Sequence, residues 1–207
     1  MATLRLPSIP CFVKTSVALT VTVALILAPT LAHTQQQSPV INLRIGSVFP
    51  FNSPDPQWRA EYVSSRESHV LGFKHAQEDG FLPNVNISII ERDATGLGRG
   101  DEGKSVYATL DVIKQGVVGI LGGGTSTAAA QISMVSRTLR LPICSMIAGS
   151  SILSNKVDHP WFFRFLSSSS TMAKATIDFI TQRAQWKQFS LLTESGNAFA
   201  SSYSAEL

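Results

Sequence analysis

The chain has 207 residues, 44% hydrophobic and 15% charged, with a formal net charge of +3. That length suits one sizeable domain, and the balance excludes a wholly disordered chain. Lys and Arg are scattered, without the basic run or aromatic-basic interleaving of a nucleic-acid surface, so nucleic acid is excluded as a partner.

The N-terminus reads as an export signal. Arg5 and Lys14 flank the start, Val17 to Leu27 is nearly all apolar, and Thr30-Leu31-Ala32 places small residues where a signal peptidase inspects them. The alternative is an uncleaved anchor, but about 15 apolar residues interrupted by threonines and Pro29 fall short of the roughly 20 that a spanning helix needs. Residues 1–32 are therefore expected to be a signal peptide and residues 33–40 a disordered polar leader. Cys11 leaves with the signal, so the mature chain keeps Cys144 alone and no intrachain disulfide is expected.

From Ile41 the pattern alternates. Ile41 to Phe49 predicts a strand, and Pro50 to Trp58 a proline-rich loop at its carboxyl end. A helix is expected from Arg59 to Asp79, with a coarse stripe of Val70, Phe73 and Gln77, ended by Gly80. Val85 to Ile90 is a second strand, and it carries the glycosylation sequon Asn86-Ile87-Ser88. Ser105 to Gln115 predicts a helix with Val106, Leu110 and Ile113 on one face, closed by Gly116.

Val117 to Leu121 is a short β-branched run that fits a strand buried on both faces, broken by Gly122, Gly123 and Gly124. A helix follows with Thr125 or Ser126 as N-cap, and Ala128, Ile132, Val135 and Leu139 at i, i+4, i+7 and i+11 form its inward stripe. After Pro142 come a strand over Ile143 to Ile147, a loop over Ala148 to Asp158, and an aromatic strand over Trp161 to Phe165. Arg164, set among aromatics, is expected to pair with a carboxylate or a carbonyl. A helix over Thr171 to Gln185 with Ala173, Ile177, Ile180 and Ala184 inward, a strand over Phe189 to Thr193 and the start of another helix complete the chain. Strand and helix alternating at this spacing predict an α/β fold, a doubly wound parallel sheet with flanking helices. Such sheets bind ligands at the carboxyl ends of their strands.

The turn Gly122-Gly123-Gly124-Thr125-Ser126-Thr127, the helix after it, then Leu141-Pro-Ile-Cys-Ser145, Gly149-Ser-Ser-Ile-Leu-Ser-Asn155 and His159-Pro-Trp-Phe-Phe-Arg-Phe165 carry a resemblance. In this order they resemble the type I periplasmic-binding-protein fold. More narrowly, they are similar to the extracellular ligand-binding region of class C G-protein-coupled receptors and natriuretic-peptide-type receptors. The resemblance implies a first lobe over residues 41–165 and the start of a second, incomplete lobe over 166–207, with a membrane region only in a longer form. It also implies a dimer through the first lobe, and a cleft that takes the carboxylate and amine of an amino-acid-like ligand. Carried over residue by residue, the cleft residues are Trp58, Thr125, Ser126, Thr127, Gly149 and Ser150, with Phe51 a second aromatic on the loop after the first strand. The hydroxyls of Thr125, Ser126 and Thr127 stand at a helix N-terminus, where they either bind an anion or simply cap the helix.

Two motifs point elsewhere. Gly98 to Ser105 satisfies GxxxxGK[ST] between a strand and a helix, which is the pattern of a nucleotide-binding P-loop. Asp101 and Glu102 would then stand inside the phosphate cradle, and no later strand ends in the acid that holds magnesium. Gly124-Thr125-Ser126-Thr127-Ala128 approaches a nucleophile elbow but lacks its second glycine, and the one later histidine, His159, follows Asp158 directly. His69 and His75, at i and i+6 on a helix, share no face for zinc. The expectation is an exported, non-enzymatic module that binds a small polar ligand without a cofactor or metal, on the extracellular side of the plasma membrane or secreted. A solute-binding protein of a transporter is the first alternative, and a P-loop NTPase the second.

Overall fold

The computed structural model describes residues 39–96 and 102–207. The expectations for the signal peptide, for the leader as far as Ser38, for Cys11, and for Gly98 to Asp101 of the Walker-like loop lie outside the described residues. Strand β1 (Ile41–Phe49) enters the fold from an exposed start and ends fully buried at Val48 and Phe49. Helix α1 (Pro56–Glu78) begins three residues ahead of the expected Arg59. The reason is local: Asp55 accepts from the backbone N–H groups of Gln57 and Trp58, and Pro56 supplies a first-turn φ at a position whose N–H needs no partner.

Strand β2 (Val85–Asp93) pairs with β1 in unbroken parallel register from Ile41↔Val85 to Phe49↔Asp93. Helix α2 (Glu102–Lys114), β3 (Gly119–Gly122), α3 (Ser126–Leu139) and β4 (Ile143–Ser145) follow. A 3₁₀ turn (Ser151–Ser154), β5 (Phe162–Arg164), α4 (Ser169–Asp178) with a π turn (Phe179–Arg183), and α5 (Ala198–Glu206) complete the order. The five strands are all parallel and lie β2-β1-β3-β4-β5. Because the chain leaves β1 for β2 and then returns past it to β3, the strand order reverses between β1 and β3. At such a switch point the loops after the two strands diverge and leave a crevice.

The core joins Val48, Val112, Ile120, Ile132, Ile143 and Phe162 across the sheet and its helices. Two helical stripes sit differently from the sequence expectation. On α3, Ala128 and Ile132 are buried as expected, but Leu139 is 52% exposed, and Ala129, Ser133 and Ser136 take the inward positions. On α2 the buried face is Ser105, Ala108, Thr109 and Val112, while Leu110 is 41% exposed. In both cases small side chains let the helix approach the sheet closely. A Cβ on Gly46 of β1 would fall 2.9 Å from Val112 Cγ2, and one on Gly123 would fall 2.6 Å from Ala129 Cβ.

The expected strand over Phe189 to Thr193 does not form. Its backbone finds no ladder among the described strands, which pair only with one another, and an extended segment without a partner leaves its N–H and C=O groups to water. The expected helix from Thr171 starts at Ser169, capped by the Ser168 hydroxyl, and buries Ala173 and Ile180 as its stripe requires. Burial pushes the Cys144 thiol up, which favours its protonated form on β4. Among the described residues no helix is long and apolar enough to cross a membrane.

Candidate functional site

At the carboxyl ends of β1, β3 and β4 the loops enclose a cleft of about 260 Å³. Pro50 and Ser53 from the loop after β1, Trp58 and Tyr62 from α1, and Gly124 to Ser126 at the head of α3 form one side. Ile147 after β4, Leu166 after β5, and Asn197 and Phe199 at the head of α5 form the other. Most of this lining is apolar, with hydroxyls and an amide at the helix ends.

The aromatic wall is built on α1. Trp58 and Tyr62, one helical turn apart, stack with ring centroids 6.1 Å apart, and Tyr62 leans on Phe49 of β1 at 6.0 Å. The buried Tyr62 hydroxyl donates to the Gly124 carbonyl at 2.9 Å, which ties α1 to the turn after β3. A side chain on Gly124 would spoil this seat, since its Cβ would lie 2.9 Å from Pro50 Cδ and 3.0 Å from Tyr62 Oη.

The hydroxyls at the head of α3 divide their work. Thr125 Oγ1 accepts from the Ala128 N–H at 3.1 Å and is the N-cap. Ser126 Oγ accepts from the Ser150 N–H at 3.1 Å, so it binds the β3 turn to the loop after β4. Ser145 reinforces the same join: its hydroxyl donates to the Gly123 carbonyl at 3.0 Å and accepts from the Ala148 N–H at 3.1 Å. Arg164 finds the carbonyl partner expected of it, donating from Nη1 to Ser150 O at 2.8 Å, and it also reaches Ser154 Oγ.

Of the sequence-derived residues, Trp58, Thr125 and Ser126 meet in the cleft. Thr127 joins Thr125 and Ser126 on an adjoining polar recess of about 130 Å³, faced by Glu194 to Asn197. Gly149 and Ser150 stand behind the lining. A Cβ on Gly149 would lie 2.8 Å from the Phe199 ring, so its lack of a side chain seats that ring. Ser150 is 1% exposed, and its hydroxyl is buried without a hydrogen-bond partner. Phe51 packs on Phe49 instead, with centroids 6.0 Å apart.

Tyr62, Asn197 and Phe199 were missed from sequence. The Asp55-Pro56 start would have placed Tyr62 on the same side of α1 as Trp58. Asn197 accepts from the N–H groups of Phe199 and Ala200 and donates to Glu194 at 2.9 Å. The start of a helix is expected in this segment, and the Gly-Asn pair before Ala198-Phe199-Ala200 is the signal that would have fixed its cap and placed Asn197 and Phe199 at its head.

Lys104 and Ser105 lie in the first turn of α2, and Ser105 is buried toward the core. His159 is buried with Nδ1 3.0 Å from Ser133 Oγ on α3, so its partner is not Ser126. Among the described residues no group of three or more His, Cys, Asp or Glu is placed to hold a metal.

Asp93 steadies the loop after β1. Its carboxylate accepts from Thr95 Oγ1 at 2.6 Å, from the Thr95 N–H at 3.1 Å and from Asn52 Nδ2 at 2.9 Å. Burial acts to raise its pKa, but these hydrogen bonds from Thr95 and Asn52 together outweigh burial and hold it below its ordinary value of 3.8. The ionised form is thus favoured in the folded chain. That stability is complete above the ordinary value and is lost as pH falls through the lower folded value. Asp93→Asn is expected to flatten this acid limb, read by urea titrations from about pH 6 to pH 2, and an unchanged limb would remove the role given to Asp93.

Residues 71–205 match the family model of the receptor family ligand binding region. The chain belongs to this family. Solved structures agree on the fold of this ligand-binding region. The branched-chain amino acid transporter substrate binding protein LivJ from Streptococcus pneumoniae, in complex with isoleucine, superposes with a TM-score of 0.67 at 16% identity, over 80% of this chain and 45% of that one. The leucine binding protein LivK from Thermotoga maritima gives 0.62 at 14% identity, over 79% and 44%. A solute binding protein of an ABC transporter from Rhodopseudomonas palustris, in complex with 3,4-dihydroxybenzoic acid, gives 0.63 at 16%, over 80% and 42%. The fold is that of type I periplasmic binding proteins, as the motifs between Gly122 and Phe165 implied, and the chain spans less than half the length of each of these structures.

Proposed function

We propose that the chain is a non-enzymatic, extracellular ligand-binding module of a receptor, which takes a small amino-acid-like ligand into the cleft between β1, β3 and β4. One observation carries the reading: the heads of α3 and α5 open onto a single cleft whose remaining wall is aromatic and aliphatic. Helix N-termini favour a carboxylate, and the rings of Trp58, Tyr62 and Phe199 favour an apolar side chain. Thr125, Ser126 and Thr127 would face the carboxylate. Gly149 and Ser150 would act one layer behind, by seating Phe199 and holding Ser126.

On this reading residues 166–207 begin a second lobe, and hinge closure over the cleft would complete the grip on the ligand. The packing of α4 against α5, with Ser169 Oγ and Ser202 Oγ 2.9 Å apart, supports treating them as one unit. A second reading, a solute-binding protein serving a transporter, is favoured by structural neighbours that are transporter substrate-binding proteins. Both readings share the cleft and differ in what the protein reports to.

The test is titration calorimetry of the purified protein against the twenty amino acids and their decarboxylated amines. Binding of at least one amino acid, lost with its decarboxylated amine, is the expected result. Equal binding of an amino acid and its amine would remove the carboxylate from the account, and no binding across the panel would remove the ligand class.

A further inference from the structure

The sequon on β2 is not absorbed by the cleft, and its surroundings give it a use. Asn86-Ile87-Ser88 is the one Asn-x-Ser/Thr sequence in the chain with x other than proline. A sequon inside a strand is a poor site where helices cover the sheet, because a sugar chain then has no way out. Here β2 is the edge of the sheet and pairs only with β1. Asn42 lies opposite Asn86 in the register and Arg44 opposite Ser88, so the four side chains share one face, and all four residues are exposed. That face is open to water at this end of the sheet.

We infer that Asn86 is an N-glycosylation site and that its glycan covers the free edge and open face of β2. The inference rests on the export reading above, since the reaction takes place outside the cytosol. Asn86 Nδ2 attacks the anomeric carbon of a polyprenyl-pyrophosphate-linked oligosaccharide. The bond from that carbon to the pyrophosphate oxygen breaks, the lipid pyrophosphate leaves with the electron pair, and the amide loses one proton. One N–H remains on Nδ2, which in the unmodified chain donates to Asn42 Oδ1 at 3.0 Å, so the product keeps a donor for that contact.

Position makes the modification compatible with ligand binding. Asn86 is the second residue of a strand whose carboxyl end, at Asp93, is on the cleft side, roughly 23 Å away at the rise of an extended chain. It also answers a liability. An edge strand with Ile87, Ile89 and Ile90, whose outer side meets no further strand of the sheet, is a template for pairing with another chain, and a bulky solubilising sugar beside it prevents close approach.

The experiment expresses the full chain, with its own first residues, in cultured animal cells and follows it in total lysate and medium. A C-terminal acceptor sequon tag reports delivery to the glycosylating compartment. Peptide-N-glycosidase should remove one glycan from the chain besides the tag's, and peptide mass spectrometry should find residue 86 converted to Asp. Asn86→Gln and Ser88→Ala should each abolish that modification, and Ser88→Thr should keep it. Because Ser88→Ala leaves the Asn86–Asn42 contact in place, poor folding of Asn86→Gln alone would not obscure the result. An unmodified Asn86 overturns the inference. If the tag carries a glycan, the site itself has failed; if it carries none, the export reading has failed with it.

Discussion

Gly123→Ala is expected to destabilise the fold by about 2–6 kcal/mol, a large part of the total for a domain of this size. Two costs add. Gly123 has φ +82°, in the left-handed region, where a side chain adds roughly 1–3 kcal/mol of strain. The new Cβ would also lie 2.6 Å from Ala129 Cβ and 3.0 Å from Ala129 Cα, and relieving that overlap requires α3 to shift, at about 1–3 kcal/mol more. Gly72 supplies the contrast. It sits in the middle of α1 with nothing within 4 Å of its would-be Cβ and no positive φ, so Gly72→Ala should stabilise by about 1 kcal/mol through helix propensity alone. Urea denaturation of both variants separates a steric requirement at the α3 turn from a general intolerance of alanine. If Gly123→Ala matches the unaltered chain, the turn does not fix the head of α3 as described.

This contrast also shows where sequence reasoning stopped. Parallel topology follows from alternation: β-branched runs ending in Gly or Pro, each followed by a helical period, lead to a doubly wound sheet without reference to contacts, though not to its strand order. The position of the candidate cleft is what the same logic expects, since polar loops after β1 and β3 flank the switch point. The inward faces of α2 and α3 did not follow. A hydrophobic period weights Leu110 and Leu139, yet the helices approach Gly46 and the Gly122-Gly123 turn so closely that Ala, Ser and Thr fill the interface and the large residues turn outward. The Phe189–Thr193 run failed for a different reason. Its composition suits a strand, but a strand exists only with a partner, and pairing is a tertiary fact that local pattern does not contain. The helix start expected after that run was given no cap, so Asn197 and Phe199, which line the cleft, were not picked out.

Trp58→Ala is expected to weaken ligand binding about tenfold to a hundredfold while leaving the fold in place, whereas Ser126→Ala should lower stability together with affinity. Trp58 presents a half-buried ring at the mouth of the cleft and rests on Tyr62, so truncation removes the stacking surface for a ligand at a stability cost of about 1 kcal/mol. Ser126 is placed differently. Its hydroxyl accepts the buried Ser150 N–H, and alanine there leaves that donor without its partner, a penalty of about 1–3 kcal/mol in stability. Thr125→Ala falls between, with cap loss of about 1 kcal/mol. Each variant is measured twice, by thermal melting and by calorimetry with whichever amino acid binds the unaltered protein. If Trp58→Ala and Phe199→Ala both retain full affinity, the aromatic cleft is not where the ligand sits. If Ser126→Ala loses affinity at constant melting temperature, its hydroxyl touches the ligand directly, and the tie to Ser150 is secondary to binding.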